Sequence, residues 1–268
     1  MKRPLLLPLL VLALPALAQY PVTNDPPATA EPRPVATVEA GWTPVLLQLG
    51  WPGDPVEADS LRDVYGLALG LFTVSADNVV GADLALGFPA TRESVWGVQA
   101  GLFGAIVEHR MNGIQIGGLF TGSERLSGIG LGGLFAGSDH VSGVCAGGLM
   151  AVTERLDGIA LGGLFAGAET GHGIVASFGF TDTGNAAALA NAPSRPFTGI
   201  QLAFLANFGS DVTGVQIAPF FNFAGELHGL QVGLFNRAFT GCGVQIGLFN
   251  AFGRYDDTLA LPFLNARF

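Results

Sequence analysis

The sequence carries very little charge, almost no lysine and only two cysteines. Lys, Arg, Asp and Glu together make up 12% of the 268 residues, where a water-facing surface alone carries roughly 25–35%. The single lysine is Lys2, and the formal net charge is −9. Nucleic-acid binding needs a basic footprint, so that class is excluded. No apolar run of about 18 residues occurs beyond the N-terminus, which excludes a helical membrane protein. Apolar residues themselves are not scarce: 49% of the chain is hydrophobic, too much for disorder. Glycine supplies 40 residues.

The N-terminus carries an export signal. Lys2 and Arg3 precede an apolar run over residues 4–17, and Ala16-Leu17-Ala18 places small residues at both cleavage positions. Residues 1–18 read as a secretory signal peptide cut before Gln19. No cysteine follows the run, so a lipoprotein anchor is not expected. The mature chain keeps ten arginines against 21 acids, a formal charge of −11. Residues 19–34 are a proline-rich linker. Residues 35–268 read as a single all-β repeat domain.

That domain is organised by glycine. GIQIGGLFTGSERLS, GIGLGGLFAGSDHVS, GVCAGGLMAVTERLD and GIALGGLFAGAETGH open on Gly113, Gly128, Gly143 and Gly158, at steps of 15 residues. The same anchor recurs from Gly66 to Gly243, with steps of 14 to 16 and a single step of 26 over a polar insertion at 181–197. A fixed period of this size means stacked or paired copies of one small unit. Within a unit the residues alternate: Val215 and Ile217 oppose Gly214, Gln216 and Ala218. Period two is the strand signature, and frequent Gly and β-branched residues disfavour helix.

Two architectures accommodate this unit. Polar clusters such as Ser123-Glu124-Arg125 leave about ten residues per strand, the length of a membrane-spanning β-strand. A five-residue return, about 17 Å, does not lead back to the start of a straight ten-residue strand, about 33 Å. Neighbouring units therefore run antiparallel, or each unit bends midway. The first expectation is an up-and-down outer-membrane-type β-barrel of about 14 strands, its long connections after strands 1, 3 and 9 on one side. Asp83, Gln99, Gln115, Gln201, Gln216, Gln231 and Gln245 then line the lumen as a ladder, and Ile, Leu, Val and Phe face lipid. Arg237, Asn265 and Arg267 share the polar side, whereas Asn236 and Asn250 break the parity near strand ends. Trp96 lies on the lipid-facing parity, and the Phe of each Leu-Phe pair supplies both aromatic girdles. The alternative is a parallel β-solenoid of about 15 residues per coil, bending at pairs such as Gly132-Gly133.

GVQIAPFFN (214–222), GLQVGLFN (229–236), GVQIGLFN (243–250) and the closing PFLNARF (262–268) resemble a bacterial surface-repeat family of spirochaete type, with units G-[VL]-Q-[IV]-G-[LV]-[FV]-N. The resemblance covers most of residues 35–268. The central units depart from it, with Gly130, Cys145 or Ala160 at the Gln position. It implies an exported outer-membrane or surface protein and brings no site residues.

Little else in the chain points to chemistry. Gly128 to Gly133 satisfies G-x-G-x-x-G only through the repeat, with no helix to follow. The acidic loop at 52–63 reads as solvated, and a regular calcium ladder lacks its Asp in each unit. His109, His140, His172 and His228 fall in or beside turns. Cys145 reads as a small filler at the Gln position and Cys242 lies at a turn, too far from it for a disulfide. No enzymatic activity, cofactor or metal is expected. The functional expectation is an outer-membrane or surface β-repeat protein with a structural or weakly selective pore role and the lipid bilayer as partner. The alternative is a secreted or surface solenoid that presents an adhesion or binding face.

Overall fold

The computed structural model describes residues 43–48, 63–184, 196–253 and 258–268, which form fifteen strands. The expected signal peptide, the linker and the acidic loop up to residue 62 lie outside the described residues. The strands are β1 (Thr43–Gln48), β2 (Val64–Gly70), β3 (Thr73–Ala85), β4 (Phe88–Gly101), β5 (Gly104–Gly117), β6 (Phe120–Gly132), β7 (Phe135–Gly147) and β8 (Met150–Gly162). They continue with β9 (Phe165–Ser177), β10 (Phe180–Thr183), β11 (Pro196–Ala203), β12 (Ala206–Ile217), β13 (Phe221–Val232), β14 (Phe235–Phe252) and β15 (Leu259–Arg267).

Successive strands run parallel and in register from β1 to β14, so the fold is a parallel β-solenoid. This overturns the up-and-down barrel. Among the described residues closure is absent as well: β1 pairs with β2, and β15 pairs antiparallel with β14 at the other end of the strand order.

The physical reason lies in the corners. A 15-residue unit is not one straight strand plus a return but two short arms joined by two bends. In the coil of β6 the polar bend is Ser123-Glu124-Arg125, and the second bend is Gly132-Gly133-Leu134. A coil folded this way ends one strand spacing, about 4.8 Å, from where it began. The two arms face each other across a thin interior. Gln115, on the second arm of β5, donates to the carbonyls of Ala105 (3.1 Å) and Gly122 (3.1 Å) on first arms.

Glycine is required at the anchor, and in the central coils also at the second bend. Eleven of the twelve anchors have φ between 134° and 155°. A Cβ on Gly128 would lie 2.1 Å from the carbonyl oxygen of Gly113, and one on Gly143 would meet Gly128 the same way. At the second bend a Cβ on Gly133 would lie 1.8 Å from the carbonyl oxygen of Gly118. The anchor column therefore admits no side chain, whereas at the second bend the directly stacked glycines run from Gly118 to Gly163, with Leu102 and Phe178 in the same column on either side.

Changes in coil length are absorbed at the bends. β4 and β5 each carry one extra residue at the polar bend, so the register shifts between Ala76 and Asn78 where β3 meets β4 and between Val107 and Arg110 where β5 meets β6. The 26-residue step is one coil made of β10 and β11, both paired with β9 and β12. Thr183 lies beside Ala168 and Phe197 beside Gly171, so the insertion leaves and returns at the polar bend.

One interior column runs two residues before each anchor, through Val95, Met111, Leu126, Val141 and Leu156. Volume is shared along it: Gly171 gives up its side chain where the buried Phe197 stacks next to it. No coil buries this column alone, so stability depends on stacking.

Candidate functional site

Three features run the length of the stack: an amide-lined interior, an apolar edge and a charged edge. Their chemistry follows from position within the coil.

The interior holds every residue of the expected ladder. Asp83, Gln99, Gln115, Gln201, Gln216, Gln231 and Gln245 are at most 1% exposed. Gln99 Nε2 donates to Asp83 Oδ2 at 3.0 Å, and Gln115 Nε2 to Gln99 Oε1 at 3.0 Å. The column then turns to Gly130, Cys145, Ala160 and Val175. It resumes as Gln201, Gln216, Gln231 and Gln245, with Nε2 to Oε1 bonds of 2.7 Å from Gln231 to Gln216 and from Gln245 to Gln231. Gln201 in turn donates to Thr183 Oγ1. Gln201 apart, each of these amides donates an N–H to the residue of the same column on the preceding coil.

A second ladder lies on the facing arm. Asn207 donates to Asn222 (2.8 Å), Asn222 to Asn236 (2.8 Å) and Asn236 to Asn250 (2.7 Å). Its N–H groups aim at the following coil. The two ladders are therefore rows of amide dipoles of opposite sense packed side by side, and their fields partly cancel. Asn236 and Asn250 are not strand-end exceptions; they face the same interior from beyond the bend. Arg237, expected on the polar side, instead points outward, 5.0 Å from the Phe239 ring centroid and bonded to the Gly253 carbonyl at 3.1 Å. The interior is filled by its own side chains, so the lumen of the barrel reading does not exist, nor does the neutral pore lining built on it.

Burial lifts the Asp83 carboxyl to about 6, opposed by its hydrogen bonds from Gln99 and Thr91. Burial likewise pushes the Cys145 thiol up to about 11, which makes it an inert filler. At the other end of the Gln column the Oε1 of Gln245 and the Oδ1 of Asn265 are buried without a partner.

The apolar edge is built from the outward positions around the second bend. One residue past each anchor stands an aliphatic column that includes Val98, Ile114, Ile129, Val144 and Ile159 and ends at Val244. Two residues further on come Ile116, Leu131 and Leu161. Leu134 and Leu149 occupy the bend, and Phe120, Phe135 and Phe165 open the next arm. Ile129, Leu131, Leu134 and Phe135 are 39%, 39%, 38% and 41% exposed, so the apolar surface covers both flanks and the tip. The phenylalanines form one column on one edge, not the two girdles of a barrel. Where Gly104 interrupts it, the rings of Phe88 and Phe120 approach to 5.6 Å over the gap. Toward the C-terminal end Phe221, Phe235 and Phe249 stack at 5.1 Å intervals and wall an open groove of about 590 Å³. Trp96 stands outward, 57% exposed, as its parity implies.

The charged edge lies opposite. Glu124, Arg125, Asp139, His140, Glu154 and Arg155 are exposed at successive polar bends. His172 Nδ1 lies 3.5 Å from Asp157 Oδ1, and Arg155 Nε 3.4 Å from Asp157 Oδ2. Toward the last coils His228 sits between Glu226 and Cys242, a grouping the sequence reading missed. The signal for it is the period itself: Cys242 follows His228 by one coil. Among the described residues no His, Cys, Asp or Glu group has the arrangement of a metal site, and no helix is long and apolar enough to cross a membrane.

The solenoid defines the class of protein: a parallel β-repeat stack, apolar along one edge and charged along the other. No protein-family model, curated protein or solved structure matches the chain.

Proposed function

We propose that the chain is an exported outer-membrane or cell-surface β-solenoid that lies along a lipid bilayer with its apolar edge inserted. The observation that carries this reading is the apolar surface wrapped around the Gly-Gly-Leu bend, on both flanks as well as the tip. A flat partner sheet would cover one flank and leave the other in water; hydrocarbon covers both. The depth is suitable. From Ile129 to the bend is about 10 Å of strand, and interfacial elements bury roughly 5–10 Å. Eleven steps of about 4.8 Å give a keel on the order of 50 Å long. Each aliphatic or aromatic side chain that leaves water fully contributes about 1.5–3 kcal/mol. The charged edge then stays in water, and Thr183 and Phe197, at the ends of β10 and β11, lie on that side. The resemblance to surface-repeat sequences and the export signal support the same location.

The mature chain has no lysine and carries net negative charge, so apolar contact and not headgroup charge drives the association. Flotation with phosphatidylcholine vesicles tests this. The chain is expected to float at low and high salt alike, and Ile129→Asp with Leu131→Asp to stay behind while keeping its circular dichroism. A chain that remains at the bottom contradicts the reading. So does a stable dimer that withholds the edge from lipid.

A further inference from the structure

We propose that Cys242 is a nucleophilic surface thiol that exchanges with low-molecular-weight disulfides, with His228 as its base and Glu226 orienting the imidazole. The proposal does not depend on the membrane reading.

The geometry is that of an activated nucleophile. Cys242 is exposed on β14, and its Sγ lies 3.2 Å from His228 Nδ1 on the coil before. His228 Nε2 lies 3.0 Å from Glu226 Oε1. A nucleophile within reach of a base, and the base held by a third group, is the diagnostic arrangement. With Nε2–H donated to the carboxylate, the Nδ1 lone pair faces the thiol. The hydrogen bonds to Cys242 and Glu226 both raise the imidazole's affinity for a proton. His228 links the other two in a row, so the trio is not a metal cage.

The other charged groups around it are few. Asp211 approaches from β12, level with Glu226, and its own carboxyl is raised by burial and by the Glu226 charge. Arg267 on β15 is level with Gly243, next to Cys242. The substrate class follows from what surrounds the sulfur. Cys242 stands exposed and does not line the aromatic groove at this end of the stack. Attack on a disulfide needs only in-line access to a sulfur, which an exposed ledge provides.

The step balances without a further oxidant. The Cys242 proton passes to His228 Nδ1, and the thiolate attacks one sulfur of R–S–S–R. A Cys242–S–S–R bond forms as the S–S bond of the reagent breaks. The departing R–S⁻ takes the proton back from His228. Cys242 is oxidised and the leaving sulfur reduced.

The test uses the full mature chain with an aromatic disulfide reagent, read by absorbance, and with oxidised glutathione, read by mass. Expected is a fast phase that Cys242→Ser abolishes and Cys145→Ala keeps. At pH 6.5 its rate should exceed that of N-acetylcysteine at least about tenfold. His228→Ala should remove that advantage and bring the rate and its pH profile to those of N-acetylcysteine. Glu226→Gln should fall between the two. Circular dichroism of each variant shows whether the stack is intact. If Cys242 reacts no faster than N-acetylcysteine, or if His228→Ala leaves rate and pH profile unchanged, the proposal is overturned.

Discussion

Gln99 donates its Nε2 to Asp83 Oδ2 at 3.0 Å, and with that bond a row of interior amides ends on a carboxyl group. The next residue in the column is Ala68, which offers no acceptor. A carboxyl oxygen of Asp83 supplies the acceptor that Ala68 lacks. Thr91 Oγ1 donates to the same oxygen at 2.9 Å.

That carboxyl couples stability to pH. Its folded value, about 6, lies above the ordinary 3.8, so the folded protein holds the proton more tightly than the unfolded chain. The stabilising contribution is complete below about pH 4 and is lost as pH rises through 6. Asp83→Asn stays neutral throughout. The substitution is expected to raise stability at pH 7.5 by on the order of 1–3 kcal/mol and to flatten the profile between pH 4 and 7. Urea midpoints of both proteins across that range provide the check; parallel profiles would refute it.

Breaking a ladder in its middle is expected to be costly. Gln216 accepts from Gln231 and donates to both Gln201 and the Phe223 carbonyl. Gln216→Ala removes packed volume and leaves buried amide groups unpaired, a loss of about 2–4 kcal/mol. Thermal or urea unfolding measures it. A loss below about 1 kcal/mol would mean that the ladder is packing alone.

The stacked anchors tolerate no side chain. Gly143→Ala would bring a Cβ to 2.1 Å from the Gly128 carbonyl oxygen at a φ of 138°. At least about 3 kcal/mol of destabilisation is expected. Gly137→Ala is the control, because its Cβ would meet only the Val152 carbonyl oxygen at 3.8 Å. It is expected to be neutral or mildly stabilising. Comparable unfolding midpoints for the two variants would contradict the stacking geometry.

Much of this was legible in the chain. The period, the all-β character and the burial side of the Gln column follow from glycine spacing and alternation. Direction was not, for a specific reason. Along one arm, Val215 and Ile217 face out and Gln216 faces in whether the next unit runs back or forward, so alternation is blind to the choice. The informative residues were those that broke it. Asn236 and Asn250 fall out of phase because the chain has turned a corner at Gly233-Leu234 or Gly247-Leu248 and restarted its alternation on the facing arm. A parity break at the same place in successive units marks a bend, whereas a straight barrel strand has no use for it. The His228–Cys242 contact was missed because the two were read as turn residues and not superposed by one period.

The account's central claim is that the bend, not the polar edge, meets hydrocarbon. An environment-sensitive fluorophore at Leu134→Cys or at Glu124→Cys, each in a Cys145→Ala, Cys242→Ser background, compares the two edges on phosphatidylcholine vesicles carrying brominated chains. The label at 134 should shift to the blue and be quenched, while the label at 124 stays as it is in buffer. Equal responses at the two positions, or quenching at 124 alone, would contradict the claim.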